Sequence, residues 1–258
     1  MKEFFGIGGF TRQPEGFMSW QHLTLVTCLM VVMVLLAFFL GRRNENKTGK
    51  EKNRVMIWAA LLIDGFEILK IVLACVEDPQ SWTRMLPLFL CSIQLITIPV
   101  AAFSKGLVKT ATLDFVCIFG ILGAVLGTYG AGQNYNAYPV LSFPNVVSGI
   151  THSISGFAAL YIMISGMASM EKRNIPVCLG ILSFFCIAAF TANHLLDYNY
   201  MFLVRGDGTP YDIFYNLVKG HKVLYPAIVI LLFFLYILAF YGIYYRIKTK
   251  KREKVIAK

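Results

Sequence analysis

Seven stretches of this chain are apolar for long enough to cross a lipid bilayer, and that constrains the fold more than any motif in it. A hydrocarbon core about 30 Å thick needs about 20 apolar residues at about 1.5 Å of rise each. The stretches lie near 20–40, 55–76, 86–103, 110–129, 146–169, 176–197 and 223–245. The first and last are uninterrupted, as in VTCLMVVMVLLAFFLG and LYPAIVILLFFLYILAFYGIYY. The second carries Asp64, Glu67 and Lys70. The third is short, with Pro87 expected in its first turn and Pro99 expected to kink or end it. Only 15% of the 258 residues are charged, against about a quarter in soluble domains. Aromatic residues at 14% exclude a disordered chain. The sequence therefore predicts an all-α, polytopic membrane helix bundle of about seven transmembrane helices. It forms one integral membrane domain over 1–258, a multi-pass protein of the cell membrane.

Lysine and arginine set the orientation. Seventeen fall in the loop after the first span, the third-to-fourth and fifth-to-sixth connections and the tail from Arg246; six fall on the other side, and Lys70 lies inside a span. Positive charge stays cytoplasmic, so the N-terminus is expected outside and the C-terminus inside. The net charge of +10 is then an orientation signal, with no need of a nucleic-acid partner. The first span is no cleavable signal peptide, because its basic residues follow the apolar run. Six cysteines show neither C-x-x-C pairing nor metal-ligand spacing, so no metal and no cofactor is expected.

Function is then sought among polar side chains where lipid disfavours them. On helical rise from Leu86 and Val146, Cys91 and His152 fall roughly 8 and 9 Å into spans entering from one side. Glu67, Lys70, Asn193, His194 and Asp197 fall towards the same side and form an expected intramembrane polar network. Glu67 and Lys70, three apart on one helix face, also have the plainer reading of an internal ion pair. Cysteines elsewhere in the spans read as small apolar fillers. The glycine-rich GILGAVLGTYGAG reads as close helix packing. Cys91 with His152 differs in kind, since an imidazole beside a thiol can take its proton and return it to a leaving alkoxide.

The stretches LPLFLCSIQL (86–95), HSISGFAALYIMISG (152–166) and NHLLDYNYMFL (193–203) resemble the YwaF-type integral membrane proteins, bacterial relatives of a eukaryotic transmembrane phospholipid acyltransferase family. The resemblance implies a multi-span bundle in which a cysteine, here Cys91, and a histidine, here His152, transfer fatty acyl groups between phospholipids. Where relatives often carry a histidine two places before the cysteine, this chain has Phe89.

The functional expectation is a membrane-embedded acyltransferase acting on phospholipids and lysophospholipids through a Cys91 acyl-thioester. His152 is the general base, and Gln94 and Asn199 are expected to donate to the oxyanion or bind substrate. The alternatives are an ion-coupled transporter using the intramembrane Glu, Lys, His and Asp, and a non-enzymatic seven-span structural or sensory protein.

Overall fold

Apolar runs of this length become helices because only a helix satisfies every backbone N–H and C=O within its own segment in lipid. The computed structural model describes residues 2–256, and these contain helices and no strand. Met1, Ala257 and Lys258 lie outside the described residues, Lys258 being one of the cations counted towards orientation. In chain order the helices are α1 (Lys2–Phe5), α2 (Trp20–Asn44), α3 (Gly49–Glu77), α4 (Gln94–Phe103), α5 (Gly106–Tyr129), α6 (Gly132–Ala137), α7 (Phe143–Ile164), α8 (Ile175–Leu196), α9 (Asp212–Leu217) and α10 (Leu224–Ile256). By their internal contacts they fall into two compact units, Met1–Ser169 and Met170–Lys258.

Five helical stretches are long and apolar enough to cross a membrane: Trp20–Asn44, Gly106–Ala137, Phe143–Ile164, Lys172–Leu196 and Leu224–Thr249. The predicted second span is covered by α3, a 29-residue helix that carries Asp64, Glu67 and Lys70. The predicted third span is corrected. Residues 86–93 form turns, and the helix begins only at Gln94 and runs ten residues. Pro87 therefore precedes the helix instead of sitting in its first turn, and Ser92 holds the turn by accepting from Phe89 N (3.0 Å) and donating to Phe89 O (3.1 Å). Pro99 lies inside α4, which continues to Phe103.

In the first unit α7 is the central helix, packed on α2, α3, α4 and α5. Small residues bring the backbones together: a methyl group on Gly149 would strike Leu29, one on Gly156 would strike Met33 and Ala124, and one on Gly120 would strike Ser155 O and Ala159. Such contacts are how helices associate where lipid removes the hydrophobic drive. Along α2, Val26, Met30, Met33, Ala37 and Gly41 are buried in a stripe of three-to-four spacing. The opposite face exposes Val31, Leu35, Phe38 and Phe39, the surface lipid would cover.

Polar groups fasten both ends of this bundle. At one, Asn44 donates to Tyr161 Oη (3.1 Å), Tyr161 donates to Lys52 O (3.0 Å), and Asn53 bonds Ala102 O (2.8 Å) and Lys109 Nζ (2.6 Å). There α3 begins with a capping box between Thr48 and Glu51. At the other end the N-terminal segment folds back as a strap: Gly8 N donates to Glu77 (3.1 Å), Phe17 N to Asn136 (2.8 Å), and Glu15 accepts from Val140 N (2.8 Å). The φ of +78, +82 and +86° at Gly6, Gly8 and Gly9 let the strap turn where a side chain would be strained.

In the second unit α8 ends at Asp197 in a left-handed conformation, and Asn193 exchanges bonds with Tyr200 through its Nδ2 (3.0 Å to O) and Oδ1 (2.5 Å from N). Cys178 Sγ lies 3.6 Å from Tyr241 Oη, joining α8 to α10.

Candidate functional site

The turn before α4 puts Cys91 on irregular backbone, and α7 carries His152 to meet it. Both lie against α5, Cys91 at Gly123 and His152 at Gly127 one turn on. Both residues are half-buried, whereas Cys117, Cys178 and Cys186 are fully enclosed as fillers. Cys28, by contrast, is exposed on α2.

The tautomer of His152 follows from its other nitrogen. Nδ1 lies 2.7 Å from Ser148 O, one turn earlier, and a carbonyl can only accept. Nδ1 therefore carries the proton and Nε2 is left to accept from the thiol. Measured from the start of α7 at Phe143, the ring is nine residues in, about 14 Å at 1.5 Å per residue. That is deeper than the 9 Å expected from a start at Val146, and near the middle of the helix.

One glycine on α5 makes room for the imidazole and a second lies against the cysteine. A methyl on Gly127 would overlap Cδ2 and Nε2 of His152, whereas one on Gly123 would meet Cα and Cβ of Cys91 at 3.4 Å, an ordinary contact. Spaced one turn apart, they form a groove in α5 that accepts the imidazole above and the cysteine turn below. The sequence reading took this run as helix packing. The missed signal was the four-residue spacing of Gly123 and Gly127 within it.

Gln94 is the first residue of α4 and is wholly buried. Thr97 donates to its Oε1 at 3.0 Å, and its Nε2 has no hydrogen-bond partner among the described residues. Glu67 and Lys70 are paired at 2.6 Å and mostly buried, the arrangement of an internal ion pair.

The remaining expected site residues stand in the second unit. Asn199 is buried, but both its N–H bonds are taken, by Arg205 O (2.7 Å) and Asp207 Oδ2 (2.8 Å), and its Oδ1 accepts from Val204 N (2.9 Å). That amide shapes a turn and has no donor left over for an oxyanion. Asn193 is likewise committed to Tyr200. His194 and Asp197 are exposed, the former edge-on to Phe190 at 4.6 Å.

A buried imidazole that the sequence reading passed over is His22. It accepts from Met18 N (3.1 Å), donates to Thr128 O (3.0 Å) and stacks 3.9 Å from Tyr135, fastening the start of α2 beside the Gly127 groove. Serine at the cap of α2, three residues earlier, was the local signal for a helix start there.

The family model of the TMEM164 family matches residues 17–244, and the chain belongs to that family. No curated protein and no solved structure matches it.

Proposed function

We propose that this member of the TMEM164 family moves fatty acyl chains between phospholipids through an acyl-thioester on Cys91. The observation that carries the reading is the placement of Cys91 and His152 against Gly123 and Gly127, one turn apart on α5, with the imidazole Nδ1 anchored on Ser148 O. Most membrane cysteines are inert fillers because nothing beside them takes the proton; here a base of fixed tautomer does. The likeness of LPLFLCSIQL and NHLLDYNYMFL to YwaF-type proteins and their acyltransferase relatives supports the same chemistry.

In the first half-reaction His152 Nε2 takes the thiol proton and the sulfur attacks the ester carbonyl of a phospholipid. The carbonyl oxygen gains charge as the C–S bond forms. The ester C–O bond breaks, and the imidazolium returns its proton to the leaving lysophospholipid oxygen. In the second half, the hydroxyl of another lysophospholipid gives its proton to His152 and attacks the thioester. The C–S bond breaks and the thiol is restored. Water in place of that hydroxyl gives hydrolysis by the same steps. No metal or soluble cofactor enters the balance.

Purified protein in vesicles of two phospholipids with distinct chains should scramble those chains, read by lipid mass spectrometry. Cys91→Ala and His152→Ala should each abolish exchange. Exchange undiminished in Cys91→Ala would remove the reading. The buried Glu67–Lys70 pair keeps a transport reading in play: Glu67→Gln destroying function while Cys91→Ala leaves it intact would favour that alternative.

A further inference from the structure

We infer that Thr97 is a positioning residue for the acyl transfer proposed above, on which this inference rests. It holds the Gln94 amide so that its NH2 group faces the ester oxygen. The two ends of a primary amide have almost the same shape, and only a hydrogen bond decides which end points where. Thr97 supplies that bond at 3.0 Å, from one turn further along α4, and it fastens the oxygen end. Among the described residues the nitrogen end is left as a donor with no partner, in a side chain that is wholly buried.

A buried N–H without an acceptor costs about 1–3 kcal/mol and calls for a reason. Gln94 stands three residues after Cys91, at the opening of α4, where the helix backbone also favours negative charge. An ester oxygen that becomes negative during attack by Cys91 is the acceptor that suits both features. Thr97 touches neither substrate nor sulfur; it acts through Gln94. Its own burial keeps water from competing for the amide oxygen.

The test is Thr97→Val, which keeps the shape and removes the hydroxyl. In vesicle acyl exchange, Thr97→Val should lower kcat about 10-fold or more with KM little changed, since losing an oxyanion donor outright costs about 100- to 1,000-fold. Thr97→Ser should restore most of the rate. Gln94→Leu should be at least as slow, and adding Thr97→Val to it should cost nothing further, because the two act as one unit. Wild-type kcat in Thr97→Val, or an equal loss in both backgrounds, would overturn the inference. If Thr97→Val does not fold, Thr97→Ala is read through the same cycle with the same criteria. Failure here is separable from failure of the acyl-transfer reading. An active Cys91→Ala sinks the reading itself, whereas an inactive Cys91→Ala beside a fully active Thr97→Val sinks only the role of Thr97.

Discussion

At the residue scale, the proposed site depends on a missing side chain at Gly127 as well as on Cys91 and His152. The Gly127 groove leaves no room for a methyl against the imidazole. Gly127→Ala should therefore displace His152 and slow acyl exchange about 100-fold, the cost of misplacing a catalytic group by about 1 Å. The helical circular dichroism of the purified protein should stay unchanged. Full exchange in Gly127→Ala would show that the ring position is unimportant. Cys91 and His152 were legible because ionisable side chains stand out against apolar runs. Their glycine partners were not, because glycine in a membrane helix has many packing uses. Asn199 looked available in the sequence; only the folded turn shows its amide spent on Arg205 and Asp207.

At the scale of elements, the departure from expectation is concentrated between α3 and α4. A hydropathy reading counts residues 86–103 as one span, yet proline at 87 and the Phe89–Ser92 side-chain turn hold 86–93 out of the helix. Apolar composition fixes burial, not backbone conformation, so the turn was invisible to it. Cys91 consequently sits on irregular backbone three residues ahead of the first residue of α4, and not inside a helix. Ser92→Ala removes the side chain that holds this turn. It should slow exchange about 10-fold, at a stability loss of about 1 kcal/mol for the bonds it makes. Thr48→Ala gives the opposite pattern. It breaks the capping box at the far end of α3 and should cost about 1 kcal/mol in thermal unfolding, with exchange unchanged. Equal effects of the two on activity would mean that the Cys91 turn has no special part.

At the scale of the whole molecule, long uniform features were readable and compact ones were not. Membrane character follows from composition, the described residues fold into helices and no strand, and the chain belongs to the TMEM164 family over residues 17–244. The N-terminal strap was unreadable, because its hold on Glu77, Asn136 and Val140 depends on residues far along the chain. Burial pushes the Glu15 carboxyl up, but the Val140 N–H and Arg12 outweigh it and hold the group below its ordinary 4.5. A carboxyl lowered by folding contributes stability above its unfolded value and loses it as pH falls through the folded one. Hydrogen exchange in residues 3–18, corrected for intrinsic rates, should thus accelerate as pH drops below about 4.5, and Glu15→Gln should already be accelerated at neutral pH. The central claim remains the chemistry of one thiol, and intact-protein mass spectrometry after incubation in phospholipid vesicles tests it most directly. The account predicts a single hydroxylamine-labile acyl adduct on Cys91, absent from Cys91→Ala and from His152→Ala. Acyl exchange proceeding with no adduct on Cys91, or with the adduct on another cysteine, would contradict it.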